Sequence, residues 1–438
     1  MDERLLAVLM IRNPWLGKLE SQPEILRQGL PDPYLPRNKQ LDLRPGSAQL
    51  VVGPRQAGKS TWIRHELCRQ SDPVVQLHAE EPAIQEFCRS PAEALFALTE
   101  ILVDESILWL EEIQHLKDAP LFIKGLVDLQ PHRRIIATGS SSLQFQAKTR
   151  ESLAGRARRT RLLPFSIDEL AGAFPQDQLP ALREQACRTA WERLLVFGGY
   201  PKPWFEKEPG RELLHLVEAF VLKDASDFHT IEYPAAFRKL LEFSAADIGN
   251  LVNISAWTSR AGISRSAASR YLDIAADAHI LHLLPPFAGG KRTEITGRPK
   301  VFLIDNGLRN SMFAGFGPST RRPDQGALWE NAVFSELLKR TDLLDQIFYW
   351  RTKNGAEIDF VVRRGQRLVA LEVKATEFTR PQLSRSARSF ISAYQPKCLG
   401  IVNATLRTDQ ELDGIPILFR RPWELDEILS VLDRNPGE

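Results

Sequence analysis

Gln49-Leu50-Val51-Val52-Gly53-Pro54-Arg55-Gln56-Ala57-Gly58-Lys59-Ser60-Thr61-Trp62 is the stretch whose reading decides the fold. Its first four residues are a short apolar run that reads as a buried strand. Gly53 to Ser60 then satisfies G-x-x-x-x-G-K-[ST], and residues 61–67 follow with helical spacing and no breaker. Strand, glycine loop and helix in that order form a phosphate cradle. The glycines let backbone N–H groups turn inward, and the helix N-terminus adds the positive end of its dipole. Gly53, Pro54, Arg55, Gln56, Ala57, Gly58, Lys59, Ser60 and Thr61 are the expected nucleotide contacts. Lys59 would reach the β- and γ-phosphates, and the Ser60 hydroxyl would ligate magnesium. The expected cofactors are ATP and Mg2+.

The 438 residues are enough for two or three domains. There are 57 Lys and Arg against 55 Asp and Glu, a net charge of +2, so DNA affinity would have to come from local patches. Cys68, Cys88, Cys187 and Cys398 lack metal-ligand spacing and read as buried thiols of a reduced, intracellular protein. Met1-Asp2-Glu3-Arg4 lacks the order of a signal peptide, and no apolar run is long enough to cross a bilayer. The expectation is a cytoplasmic protein without membrane contact.

Residues 1–46 read as a polar, proline-spaced N-terminal extension with one amphipathic helix near residues 5–10. From 47 to 175, strands at 50–52, 74–77, 107–110, 135–138 and 161–163 alternate with helical segments, the pattern of a parallel sheet flanked by helices. Residues 176–320 read as largely helical, with a Gly, Pro and basic segment at 285–300. Residues 321–438 read helix, strand, strand, strand, helix, strand. The class is α/β.

Ile107-Leu108-Trp109-Leu110-Glu111-Glu112 is an apolar strand ending in two carboxylates. Lying beside the phosphate-loop strand, it would bring Glu111 to the magnesium through water and Glu112 to the attacking water. Ile135-Ile136-Ala137-Thr138-Gly139-Ser140-Ser141 is a further buried strand with small polar residues at its tip. Thr138 and Ser140 would contact the γ-phosphate or the water, or would hydrogen-bond a strand-to-helix turn. Residues 152–159 form a basic cluster in which Arg156 is the expected finger for a neighbouring subunit's site. The alternative there is a solvated basic loop.

GPRQAGKST, LWLEEIQ, ATGSSS and SLAGRARRTRLLPFSIDEL resemble segments of the predicted AAA+-type ATPases of bacteria and archaea that carry a C-terminal domain of unknown function. Phe197-Gly198-Gly199-Tyr200-Pro201 resembles that family's GGYP segment. It is also similar to the Gly-x-Pro motif opening the helical lid of STAND-type signalling ATPases, which implies that Pro201 sits near the adenine. The resemblance runs from about residue 45 to about 405. The family's usual first acid is Asp; Glu111 adds one methylene, a departure that bears on hydrolysis more than on binding.

Residues 255–261 read as a helix, Gly262-Ile263 as a turn, and residues 264–272 as a second helix with Ser264 as N-cap. Ala268, Tyr271, Leu272 and Ala275 share its inner face, leaving Arg265, Ser266 and Ser269 outward near the start of a recognition helix. Apolar runs at 281–286 and 301–304 flank Lys291, Arg292, Arg298 and Lys300, the layout of a winged helix-turn-helix with a basic wing. The local excess of positive charge is what phosphate contacts require. Arg265, Ser266, Ser269, Arg270, Lys291 and Arg292 are the expected DNA contacts. The alternative is a winged helix that only packs against the nucleotide lid.

Glu357-Ile358-Asp359-Phe360-Val361-Val362 alternates as a strand, turns at Gly365, and is followed by Leu368 to Lys374. The period of a strand puts Glu372 and Lys374 on one face, and a hairpin lets Asp359 approach Glu372. With Glu330 from the preceding helix, the carboxylates could bind magnesium and steady a water for phosphodiester attack. Read from spacing alone, a half-buried hairpin with mixed charges explains the pattern equally. The pattern resembles the PD-(D/E)XK nuclease fold, with Asp359, Glu372 and Lys374 at its D…ExK core. That fold also serves as a non-cleaving platform.

Two functions follow. In one, an AAA+-type P-loop sheet domain, a helical and winged helix-turn-helix region, and a PD-(D/E)XK nuclease-like domain act together on DNA as a homo-oligomeric ATPase. In the other, the chain is a STAND-like ATP-dependent switch with an inactive nuclease-like domain, acting through protein partners.

Overall fold

The computed structural model describes residues 3–99, 101, 103, 106–139, 153–174, 179–218, 231–290, 294, 297–341 and 344–433. The chain divides into two compact units, Met1–Phe165 with Asp277–His279, and Ser166–Ala276 with Ile280–Glu438.

In the first unit, β1 (Ala48–Val52), β2 (Val74–His78), β3 (Ile107–Glu111), β4 (Arg134–Gly139) and β5 (Ala157–Arg161) form one parallel sheet in the order β2-β3-β4-β1-β5. The acidic strand β3 is therefore not the neighbour of β1 that the sequence suggested. β4 stands between them, with Val51 opposite Thr138 and Leu110 opposite Ala137. Both β3 and β4 are continuous apolar runs buried on two faces, so nothing in their composition fixes their lateral order. The fifth strand also begins earlier than the expected residues 161–163. It is Ala-Arg-Arg-Thr-Arg, half-buried throughout, and its charges are tolerable because it lies at a sheet edge.

Side-chain alternation sends Leu50, Val52, Leu77, Leu108 and Leu110 to one face, against the helices Pro91–Leu98 and Ala119–Leu129. Val51, Trp109 and Ile136 face the other way, against Trp62, Ile63 and Leu67 of the helix Lys59–Leu67. The N-terminal extension belongs to both layers. Leu5 and Leu9 of the helix Glu3–Arg12 join the first, and Trp15 and Leu26 the second.

It also closes the open edge of β2. Asn13 donates to Gln76 O at 2.9 Å and accepts from Gln76 N at 2.6 Å. Trp15 Nε1 donates to Val74 O at 2.7 Å, and Gln22 accepts the Val74 N–H at 2.8 Å. Side chains thus take the place of a sixth strand, which satisfies buried backbone groups and blunts the edge.

The second unit opens with Ser166 capping the helix Ile167–Ala171 through a capping box with Glu169. Helices Pro180–Phe197, Pro201–Phe205 and Pro209–Leu216 follow, each with proline in its first turn, where no N–H is needed. Pro234–Ala246, Ile254–Ala261 and Arg265–Asp277 are three more helices, followed by the antiparallel pair β6 (Leu281–Leu284) and β7 (Lys300–Leu303).

The remaining part is the helix Gln325–Arg340, strands β8 (Asp345–Arg351), β9 (Glu357–Arg364) and β10 (Arg367–Lys374), the helix Arg385–Tyr394, and strands β11 (Cys398–Asn403), β12 (Thr408–Leu412) and β13 (Ile415–Arg420). They form a mixed sheet in the order β12-β13-β11-β10-β9-β8. β8, β9 and β10 are antiparallel, whereas β10 and β11 run parallel across the intervening helix. Trp350, Ile358, Phe390, Ile401 and Phe419 fill the core beneath it. The four cysteines are buried and unbridged. Among the described residues no helix is long and apolar enough to cross a membrane.

Candidate nucleotide and acid sites

The phosphate loop is shaped by backbone geometry that specific residues permit. A Cβ on Gly53 would lie 2.0 Å from Leu162 O, so no larger residue fits beside that strand end. Gly58 adopts φ 89° immediately before the helix Lys59–Leu67, and Gln56 is held at φ 58°, a conformation that costs a non-glycine residue about 1 kcal/mol. Lys59 folds back onto the loop, donating to Gly53 O and Pro54 O at 3.0 Å each.

Only 5% of Lys59 is exposed. Burial pulls its ammonium down from 10.5 to about 8, against the opposing pull of Glu112 and, more weakly, Glu111; Arg55 pushes it further down. Both acids therefore face the same cradle as the lysine. With the Ser60 hydroxyl they supply hard oxygen donors of the kind magnesium takes, and the residues fit that ion.

The two acids are nonetheless held differently. Glu111 is buried; its carboxylate accepts from Gln76 Nε2 and lies 3.7 Å from His78 Nε2. The parallel register places His78 opposite Glu111, which is why β2 supplies these partners. Glu112 sits just past the strand at φ 54°, and its N–H donates to Thr138 Oγ1 at 3.3 Å. Thr138, at the tip of the inserted strand β4, thus holds the backbone of Glu112 in this structure. Glu112 also accepts from Gln114 Nε2. Among the described residues, the one group of three His, Cys, Asp or Glu side chains with ligand atoms all within 4.8 Å is Glu80, Glu112 and His115. Ser140 lies outside the described residues.

Several residues near the site were not anticipated. Gln76, His78, Glu80 and His115 come from the carboxyl ends of β2 and β3 and would have been found had the strand order been known. Arg37, in the extension, donates to Ala57 O of the phosphate loop and to Leu163 O at 3.0 Å, and stacks over Phe165. Tyr34 stacks on His65 of the loop helix with ring centroids 4.2 Å apart. No motif marks these two residues. Arg156 immediately precedes β5, and its Nε pairs with Asp128 Oδ1 at 2.5 Å.

In the second unit, the Gly198-Gly199-Tyr200-Pro201 turn is fastened to Asp305. Asp305 Oδ2 accepts the Gly199 N–H at 2.7 Å, while Oδ1 accepts Gly307 N at 2.8 Å and Leu308 N at 3.2 Å, capping the helix Asn306–Met312. A Cβ on Gly198 would stand 1.9 Å from Asp305 Oδ1. Pro201 opens the next helix, and Tyr200 is buried beside it.

Ser264 Oγ accepts the Ala267 N–H at 3.1 Å, as an N-cap does, and Gly262 makes the turn at φ 71°. Arg265, Ser266 and Ser269 are exposed, while Ala268, Tyr271, Leu272 and Ala275 are buried. Arg270 is exposed but pairs with Glu232 at 3.0 Å. Arg265 and Ser269 line a cavity of about 320 Å³ whose other wall includes Gly297 and Arg298. Lys291 and Arg292 lie outside the described residues.

In the C-terminal sheet, Asp359 Oδ2 accepts the Val373 N–H at 2.7 Å, which brings Asp359 alongside Glu372. Glu372 and Lys374 share a face, with Nζ 3.6 Å from Oε2. Burial pushes the carboxyls of both Asp359 and Glu372 up; Lys300 and the Val373 N–H oppose this at Asp359, Lys374 and Ser384 at Glu372. Glu330 is paired instead with Lys300: its Oε1 receives Lys300 Nζ at 3.0 Å, and the same ammonium reaches Glu357 Oε1 at 2.5 Å.

Residues 46–171 match the family described as an AAA domain. Residues 188–320 and 325–419 match two families each described as a domain of unknown function, DUF8612 and DUF4143. The chain is similar to an uncharacterized protein of Mycobacterium tuberculosis, 29% identical over 366 residues that cover 81% of this chain and 75% of that one. It is also similar to an uncharacterized protein of Methanocaldococcus jannaschii, 22% identical over 388 residues, 85% and 84% of the two chains. Among solved structures, the Aeropyrum pernix ORC1 protein in complex with DNA aligns at 13% identity with a TM-score of 0.30, over 69% of this chain and 91% of that one. The AAA match and the parallel sheet that carries the phosphate loop make residues 46–171 a P-loop nucleotide-binding domain of AAA type.

Proposed function

We propose that this chain binds and hydrolyses ATP and uses it to bind and remodel or process DNA, as a cytoplasmic homo-oligomer. The observation that carries the reading is the loop itself, with Lys59 turned onto its carbonyls and both Glu111 and Glu112 acting on its ammonium. Lys59 would exchange the Gly53 and Pro54 carbonyls for the β- and γ-phosphate oxygens. Ser60 and Glu111 would hold magnesium, which when bound neutralises the phosphate charge. Glu112, positioned by its bond to Thr138, would orient and deprotonate the attacking water. Pro201 would lie at the adenine, and Arg156 would leave Asp128 to act on the γ-phosphate of a neighbouring copy.

DNA would meet the winged helix-turn-helix surface of Arg265, Ser266, Ser269 and Arg270, with Lys291 and Arg292 on the wing. Exposed Arg265 and Ser269 beside Arg298 support that surface, and the helix, three strands, helix, strand order of residues 325–403 supports a nuclease-like platform. The test is ATP turnover with no DNA, duplex, single-stranded and branched DNA, alongside Lys59→Ala. Severalfold stimulation by one DNA form, lost in Lys59→Ala, is expected. Normal hydrolysis by Lys59→Ala would overturn the assignment.

One observation favours the second reading, an ATP-dependent switch with an inactive nuclease-like domain and protein partners. Lys300 reaches into the acids of that domain. Turnover indifferent to DNA, with an ATP-driven change in oligomeric state, would establish the switch instead.

A further inference from the structure

The carboxylates that would form a divalent-metal site on the C-terminal sheet are each already engaged by the protein. Lys300 Nζ bridges Glu330 Oε1 at 3.0 Å and Glu357 Oε1 at 2.5 Å. Asp359 has the Val373 N–H on Oδ2, and Glu372 has the Ser384 hydroxyl on Oε1 at 2.5 Å. Glu372 Oε2 makes no hydrogen bond, and the Lys374 ammonium stands 3.6 Å from it. Among the described residues, Glu330, Asp359 and Glu372 do not bring their oxygens within 4.8 Å of one another as a set. A metal at this position does not fit the side chains as they stand.

Lys300 is not a surface lysine lying nearby by chance. Its side chain is 3% exposed. Its backbone is fixed in β7 by pairing with Leu284 of β6 and by a bridge to Leu251, and the ring of Tyr349 stands 5.6 Å from Nζ. A buried ammonium persists where carboxylates compensate it, and buried carboxylates persist where a cation compensates them. Lys300 and the acids are each other's solution. A fixed positive charge paired with Glu330 and Glu357, and within electrostatic reach of Asp359, also opposes entry of a metal ion among these acids.

We propose that Lys300 is the resident cation of this acid pocket: its ammonium stands where a divalent ion would, so the C-terminal sheet is a lysine-filled platform that excludes a catalytic metal. The proposal concerns this sheet alone and holds whether the partner of the chain is DNA or protein.

The test counts Mn2+ bound by the full-length, nucleotide-free chain, using electron paramagnetic resonance of free Mn2+. Wild type and Asp359→Asn should bind equal numbers, since any ions they hold sit elsewhere, for instance at Glu80, Glu112 and His115. Lys300→Met should gain one additional Mn2+ per chain, and Lys300→Met with Asp359→Asn should lose it again. Loss of a Mn2+ from wild type on Asp359→Asn overturns the proposal, and that comparison needs no Lys300 variant to fold. A Lys300→Met chain with native circular dichroism that gains no Mn2+ overturns it as well. If Lys300→Met does not fold, Lys300→Met with Glu330→Gln relieves one uncompensated carboxylate and is counted in its place.

Discussion

Raising the pH should weaken ATP binding through Lys59 alone, by an amount the structure sets. In the nucleotide-free protein, burial holds the Lys59 ammonium at about 8 rather than 10.5. Phosphate oxygens would supply the negative partner that the loop carbonyls lack and return the lysine to its ordinary range or above. The sign follows from proton counts. Below pH 8 the lysine is charged in both states and affinity is flat. Between about 8 and 10.5 the free protein has lost the proton that the complex needs, so binding takes one up and weakens as pH rises.

At about 1.36 kcal/mol per unit, the full window is worth about 3 kcal/mol, and at pH 9 the loss is about tenfold in Kd. The assay is calorimetric titration with MgATP from pH 7.5 to 9.5, in two buffers of different ionisation enthalpy, which reads proton uptake directly. Lys59→Arg, charged throughout, should bind more weakly but without this slope. A wild-type Kd unchanged to pH 9.5 with no proton uptake would refute the reasoning, because the lysine would then not be the group that phosphate recharges.

Four other outcomes are expected. Glu112→Gln should lower ATP turnover by about 100-fold or more while MgATP binding is kept, read by steady-state kinetics and titration. Gly53→Ala should destabilise the first unit by about 1–3 kcal/mol in a urea melt, because its Cβ has to displace the Leu162 carbonyl 2.0 Å away. Asn13→Ala should cost about 1–3 kcal/mol in the same melt with the slope unchanged, since it strips Gln76 of both partners on the sheet edge. Asp305→Ala orphans the Gly199, Gly307 and Leu308 N–H groups and should cost about 2–4 kcal/mol in thermal unfolding; Asp305→Asn, which keeps an acceptor oxygen, should cost about half as much.

The nucleotide cradle was legible because its requirements are local. A strand, two glycines, a lysine and a hydroxyl within twelve residues leave little for tertiary structure to choose. Ser264 as a cap and the order of elements from Gln325 to β11 were legible for the same reason: caps and alternation are properties of short windows; β12 and β13, which follow, were not read. The position of β4 between β1 and β3 was not legible, because two equally apolar strands carry no mark of which lies inside. That insertion is what sets Thr138 against the Glu112 backbone. The role of the extension was hidden too. Asn13, Trp15 and Gln22 are polar or isolated residues in a proline-spaced stretch, and their function exists only beside an open strand edge.

The sharpest divide falls in the C-terminal sheet. Sequence alone determined that Asp359, Glu372 and Lys374 lie on neighbouring strands, because the two-residue period and a tight turn compel it. It could not determine what compensates their charge. Lys300 is about sixty residues upstream of Asp359, in a different supersecondary element, and read by itself it is one more basic residue of a wing. Tertiary structure turned it inward, because buried carboxylates left without a cation cost more than a lysine side chain ordered among them.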